Sequence, residues 1–387
     1  MGRSKVRKSP GITGIFIAFV VLLTFGAAYG SDSSGKAAKL PAVHPEGKMD
    51  PGEWKKIVEA AKKEGKVVVS GNPSEAWRKS LVDMFRQDYP EITVEYTGIN
   101  SRDFWPRVRQ ERALGKYLWD VGARGVDLPA YEAKKDGLLE PIRPILLPEN
   151  ADDSKWIGGL NQVFYDKEKR YMPGYVMFIQ QTTAVNRDFI KEAEIASSSQ
   201  LLDPKFKGKI VIQTPTGGVS FFALLNLGAM YGENFLRQLL TKQEIVVTND
   251  NRQQNEWVVR GKYPLAIGFN LNELEPFRKQ GLGKNVTKLE DKVIPLSVQF
   301  GALAFMKNAP HPNAAMVYIN WVLSQKTQAA MSKNIAINSA RADVPVVNKE
   351  LAIDRTRLDK YYNYSTEENT VGASSRFLPI IKETLKY

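Results

Sequence analysis

Apolar positions along this chain follow two alternating spacings. Trp54, Ile57, Val58 and Ala61 recur at helical spacing and make one apolar face. Asp50 stands where an N-cap belongs, Pro51 suits the first helical position, Glu53 completes a capping box, and Gly65 suits a left-handed stop. Val67-Val68-Val69 is then a continuous apolar run, the pattern of a strand buried on both faces. Trp77, Leu81 and Phe85 mark a second helix that ends before Pro90, and Ile92 to Tyr96 a second strand. Ser101 opens a helix through Phe104, Val108 and Arg112, closed at Gly115, and Trp119 to Ala123 is a third strand. Such alternation predicts a parallel sheet covered by helices.

The alternation continues to Leu323. Tyr175 to Ala184 is extended, Asp203 to Lys209 is rich in turn residues, and Ile210 to Gln213 is a strand. Thr214 to Ser220 leads into a helix through Phe222, Leu225 and Ala229 that ends at Gly232. Further helices are predicted at Asn234–Leu240, Asn255–Arg260, Asn272–Gln280 and Pro312–Leu323, and further strands at Ile245–Thr248, Leu265–Phe269 and Ala302–Met306.

One apolar run is of another kind. Ile12 to Ala28 is broken only by Thr13, Gly14, Thr24 and Gly26, follows Arg3, Lys5, Arg7 and Lys8, and ends in Ala28-Tyr29-Gly30. This is the layout of a secretory signal, with cleavage expected after Gly30. The run is shorter than the ~20 apolar residues of a membrane span, the alternative being an uncleaved anchor. Residues 31–49 are a flexible lead-in, with His44 a solvated linker residue. The leader changes the meaning of the charge: of the formal +12, four positive charges lie in residues 1–30, which leaves +8 on the remainder.

Composition then narrows the chemistry. With no cysteine, disulfide scaffolds, thiolate metal sites, thiol nucleophiles and a lipid-modified cysteine are excluded. The two histidines are His44 and His311, the latter placed in Pro310-His311-Pro312 as part of a helix start. Gly218-Val219-Ser220 lacks the closing glycine of a nucleophile elbow, and no P-loop or dinucleotide fingerprint occurs. Basic residues are interspersed with acids, which argues against nucleic acid. A binding protein is expected, with no catalytic residue, cofactor or resident metal.

Ligands of open α/β sheets sit beyond the carboxyl ends of the strands. Three such ends here are Ser70–Ser74, Ala123–Gly125 and Thr214–Ser220. In the last, two glycines before a helix allow backbone N–H groups to approach an anion. A plain helix start with a glycine hinge fits the local sequence equally well.

Five segments resemble the periplasmic solute-binding proteins of ABC transporters, in the branch of ferric iron, thiamine and phosphonate binders. They are Trp54–Val69 (WKKIVEAAKKEGKVVV), Asp203–Lys209 (DPKFKGK), Thr214–Ser220 in place of a D-P-x-x-G loop, Val259–Gly268 (VRGKYPLAIG) and Ala309–Ala315 (APHPNAA). The resemblance implies an α/β, two-lobed type II periplasmic-binding fold, each lobe a helix-covered sheet, joined by two crossover strands near Phe178–Ala184 and Gly268–Asn270. Residues 50–180 with 270–387 would form one lobe, its C-terminal part free to pack on the other, and 181–269 the second lobe. The adjacent tyrosines with which the branch's ferric binders hold iron fall on Leu271, which cannot ligate, and Asn272, a poor ligand for a hard trivalent cation. A small anionic solute is therefore expected, held by Asn72, Arg124, Gln180, Thr216, Gly217, Gly218, Ser220 and Asn270, with Arg102 an outside candidate. The protein would be a periplasmic monomer serving a permease and ATPase of the inner membrane. A sensor's ligand-binding module, a ferric binder and an exported enzyme are the alternatives.

Overall fold

A computed structural model describes residues 49–179, 183–215, 218–269, 274–289, 291, 294–297 and 301–385. The leader, most of the lead-in and His44 lie outside it.

In chain order the first elements are α1 (Pro51–Glu64), β1 (Lys66–Gly71), α2 (Glu75–Arg78), a π-turn at Lys79–Asp83, α3 (Met84–Asp88), β2 (Thr93–Gly98), α4 (Ser101–Ala113) and β3 (Val121–Arg124). Asp50 Oδ1 caps α1 by accepting from the N–H groups of Gly52 (2.8 Å) and Glu53 (3.1 Å). The capping box is made from one side, because Glu53 Oε2 is buried without a partner. Gly65 closes α1 at φ +68°. Trp77, Leu81 and Phe85 are all buried although a π-turn interrupts their helix.

Next come α5 (Leu128–Lys135), β4 (Leu139–Glu140), the single turns α6 (Pro148–Ala151) and α7 (Leu160–Val163), and β5 (Phe178–Ile179). There follow β6 (Thr183–Asn186), β7 (Ile210–Gln213), α8 (Gly218–Tyr231), α9 (Glu233–Lys242), β8 (Val246–Thr248), α10 (Asn251–Val259), β9 (Leu265–Ile267), α11 (Glu275–Arg278) and β10 (Val286–Lys288). The chain finishes with β11 (Ile294–Ser297), β12 (Ala302–Met306), α12 (Pro312–Leu323), α13 (Gln325–Ile335), β13 (Tyr361–Tyr362) and α14 (Glu367–Leu385).

The strands form two five-stranded sheets, β2-β1-β3-β12-β4 and β10-β6-β9-β7-β8, and a small third sheet, β13-β11-β5. In the first sheet β1 is parallel to β2 and β3, but β12 runs antiparallel to β3 and β4. The sheet is therefore mixed, where the sequence led to a parallel one, because β12 arrives from the other lobe and not through a crossover helix. Its two faces bury separate clusters. Val67 and Val69 lie with Ile57, Phe85 and Tyr318 under α1 and α12, while Phe104, Trp105 and Trp119 fill the α4 side. The second sheet does the same, with Ile210 and Ile212 against α8, α9 and α14, and Val211 and Ala266 against α10. Each strand alternates its apolar residues between the two faces, which is why continuous apolar runs appear in sequence.

The chain passes between the sheets at β5 and β6, within the expected Phe178–Ala184 segment. Its return differs from expectation. β10 still pairs with β6 (Val286↔Asn186), so residues beyond Gly268–Asn270 extend the second sheet before the chain leaves it. The return strand is β11, which pairs with β5.

The helix α14 touches both lobes. Its first residue, Glu367, receives Lys134 Nζ (2.5 Å) and the N–H of Lys167 (2.8 Å) from the first lobe. Further along, Phe377, Ile380 and Ile381 complete the core of the second. Gly228 of α8 allows this approach, since a Cβ there would stand 2.9 Å from the Phe377 ring.

Candidate functional site

The carboxyl ends of β1, β2 and β3 carry one charged side chain without the partners its burial demands. Arg124 ends β3 at 5% exposure. Its Nη1 donates to Ile99 O (2.9 Å) and its guanidinium lies 3.9 Å over the Phe104 ring. Nε and Nη2 are buried with no hydrogen-bond partner. Those two nitrogens form the edge of the guanidinium that takes an oxyanion in two parallel bonds. Burial pushes the Arg124 pKa down to about 10, partly opposed by Asp127, so the group stays cationic at neutral pH.

Four hydroxyl-bearing residues belong to the same end. Tyr96 OH donates to Asn72 O (2.7 Å), and Asn72 Oδ1 accepts from Ser74 N–H (3.0 Å), so Asn72 shapes the turn after β1. Tyr175, fully buried, has a hydroxyl without a partner, as does Ser70, while the Ser101 hydroxyl lies against the Asp127 carboxylate. Tyr96 and Tyr175 lie within electrostatic reach of Arg124, and burial raises both phenol pKa values. Ser70 pairs in register with Gly122, whose Cβ position is 3.8 Å from Arg124 Nε. Sequence reading missed Tyr96, Tyr175, Ser70 and Ser101. Their only linear signal is proximity to strand ends, and they meet through strand register.

A second buried arginine shows what saturation looks like. Arg341, 2% exposed, donates Nε and Nη2 to the Asp343 carboxylate (2.8 and 2.9 Å), and Nη1 to Asn150 Oδ1 (3.0 Å) and Leu323 O (2.9 Å). Every guanidinium nitrogen is used, as buried polar groups require. Arg124 breaks that rule at a strand end, where a ligand would complete it.

In the second lobe Gly218 opens α8, and the Ser220 hydroxyl is engaged within the lobe. Its buried Oγ donates toward Ile267 O (3.1 Å) and Gly268 O (3.3 Å) and accepts from Gln213 N–H (3.2 Å). The hydroxyl is thereby used in joining α8 to β7 and β9. Gly268, at φ +68°, permits this junction, since a Cβ there would be 2.2 Å from Ser220 Cα. Gln180, Thr216, Gly217 and Asn270, with Leu271-Asn272, lie outside the described residues, as does the side chain of Arg102.

The segment Ala309–Ala315, the most distinctive in sequence, is a helix start. Pro312 opens α12, and the Glu64 carboxylate caps it by accepting from Asn313 N–H (3.2 Å), Asn313 Nδ2 (2.7 Å) and Ala314 N–H (2.7 Å). His311 meets the buried Asp120 through Nδ1 (2.9 Å) and its own N–H (2.7 Å), while Asp120 also takes Val68 N–H (2.7 Å). Among the described residues no three His, Asp or Glu side chains are placed to hold a metal ion. Nor is any helix among them long and apolar enough to cross a membrane.

Comparison with known proteins decides the family. A family model described as bacterial extracellular solute-binding protein matches residues 80–353. The chain belongs to this family. The solute-binding protein is 24% identical over 258 residues to Iron uptake protein A1 of Synechocystis, a match covering 59% of this chain and 65% of that relative. Among solved structures it is similar to iron-bound HitA from Pseudomonas aeruginosa, at 18% identity and TM-score 0.63, covering 82% of this chain and 99% of that one. Apo FutA2 from Synechocystis gives 14% identity and TM-score 0.61, over 83% and 98% of the chains. AfuA from Actinobacillus pleuropneumoniae, with exogenous fructose-6-phosphate bound, gives 20% and 0.59, over 82% and 99%. These likenesses establish for the solute-binding protein the two-lobed α/β fold of type II periplasmic binding proteins.

Proposed function

We propose that this solute-binding protein is the extracytoplasmic binding component of an ABC importer. It captures a small anionic solute between its lobes and delivers it to a permease and ATPase in the membrane. It acts as a periplasmic monomer once the leader is removed, and it binds without chemical turnover. The carrying observation is the buried, unpartnered Nε/Nη2 edge of Arg124. Leaving such a group unmet costs the folded protein about 1–3 kcal/mol, a cost that an oxyanion would offset on binding. The relatives accommodate both iron, in HitA, and a sugar phosphate, in AfuA. Leu271 and Asn272, where the resemblance puts iron-binding tyrosines, favour the anion for this chain.

The test begins with mass spectrometry of whatever the purified protein releases on mild denaturation, followed by calorimetric rebinding of that compound. An organic or inorganic anion, bound with 1:1 stoichiometry and lost in Arg124→Met, supports the reading. Stoichiometric iron, unaffected by Arg124→Met, would overturn it, and so would chemical conversion of the released compound.

A further inference from the structure

The turn between α4 and β3 presents large apolar side chains to solvent that no part of the fold requires. Leu114 is 73% exposed, Tyr117 42% and Leu118 44%, three such residues within five positions. The backbone that carries them is fixed. Leu114 N–H bonds Glu111 O (3.1 Å), Gly115 N–H bonds Arg112 O (2.9 Å) at φ +69°, and Lys116 N–H bonds Glu111 O (2.8 Å). The Glu111 carboxylate anchors the base of the turn by accepting from Trp119 Nε1 and Arg107 Nε, both at 2.7 Å. Arg112 lies 4.1 Å over the Tyr117 ring, and its Nη2 donates to the carbonyl of Lys307. Exposed Lys116 and Lys307 therefore flank the apolar tip. A fixed turn that keeps leucines in water is explained by something that covers them.

We propose that Leu114–Leu118 is an interfacial anchor, by which the protein rests on an anionic lipid bilayer. Three side chains are far fewer than the roughly 20–30 residues a side of a stable protein interface. Leucine and tyrosine beside lysine and arginine instead match the acyl–headgroup boundary, where apolar insertion and attraction to anionic lipid act together. The excess of +8 outside the leader region acts in the same direction. Position agrees as well. The turn lies where β3 begins and β12 ends, opposite the strand ends that carry Arg124. Anchoring there leaves the proposed solute site accessible.

The experiment is co-sedimentation of the exported protein, in the form recovered from the extracytoplasmic fraction, with sucrose-loaded vesicles. The vesicles are either pure phosphatidylcholine or mixed with phosphatidylglycerol. Binding should be about tenfold stronger to the anionic vesicles and fall with added salt, as screening requires. Leu114→Ser/Leu118→Ser should lose about tenfold on anionic vesicles through lost insertion, and Lys116→Glu/Lys307→Glu should lose the anionic preference. Circular dichroism should be unchanged in both variants and the melting temperature should move little, since Leu114, Lys116 and Lys307 are exposed and Leu118 is only partly covered. Equal sedimentation of wild type and the serine variant overturns the proposal, as does failure of the wild type to sediment. Concentration-dependent self-association that the serine variant abolishes would assign the patch to a second copy instead, and also overturns it.

Discussion

At the residue scale the two buried arginines separate binding from architecture. Arg341 meets Asp343, Asn150 and Leu323 and leaves no nitrogen unused, so its removal strands those partners. Arg341→Met should cost about 3 kcal/mol, the usual result of deleting one member of a buried pair. Arg124→Met removes a cation whose Nε and Nη2 already lack partners, so stability should stay within about 1 kcal/mol of wild type or rise. Urea denaturation of both variants checks this contrast, and a large loss in Arg124→Met would mean that Arg124 supports the fold. A pH dependence follows. With the free guanidinium pKa near 10 and the anion favouring the charged form, affinity should be flat below that pH. It should then fall as pH rises through it, by up to about tenfold per unit. Calorimetric titrations from pH 7 to 11, with circular dichroism to verify folding, would show the break, and a flat profile would remove Arg124 from the site.

At the element scale, the most distinctive sequence segment is a joint between helices. The Ala309–Ala315 segment works because Glu64, at the end of α1, caps α12 across a separation of about 250 residues. Glu64→Ala should lower stability by about 1–2 kcal/mol, as loss of a helix cap does, and Glu64→Gln by less. A shift in urea midpoint at unchanged slope would confirm it. Helices and strands with strong periodicity were legible from residues alone: α1, β7, β12 and α12 fall at the boundaries that the pattern predicts. Other features were not. Val286-Thr287-Lys288 is too short to carry a pattern, so β10 went unseen and the return between lobes was placed too early. That Ser220 Oγ would bond the carbonyls of Ile267 and Gly268, distant in sequence, was likewise not legible. Arg124 was legible as a basic residue in the strand-end loop Ala123–Gly125 that follows the strand Trp119–Ala123. Its open edge was not, because that depends on Ile99 and Phe104 occupying the rest of the guanidinium.

At the scale of the whole molecule, two lobes with separate cores need a reason to unfold together. The small sheet β13-β11-β5 supplies one link and α14 the other, fixed to the first lobe by Lys134–Glu367 and to the second by Phe377, Ile380 and Ile381. Those three buried side chains contribute about 1.5–3 kcal/mol each, and α14 also covers α8 and α9. The intact chain should therefore melt in one calorimetric transition. Ending the chain after Thr366 removes α14 and should split the melt in two, with the second lobe unfolding at the lower temperature. Tryptophan fluorescence assigns the steps. Of the seven tryptophans, Trp257 alone belongs with the second sheet, carried by α10, while Trp54, Trp77, Trp105, Trp119, Trp156 and Trp321 pack in the cores of the first. The lower transition should carry most of the heat lost by the second lobe and little of the fluorescence change. If the shortened chain melts in a single step at the temperature of the intact one, α14 does not couple the lobes, and the three-stranded sheet alone must hold them together.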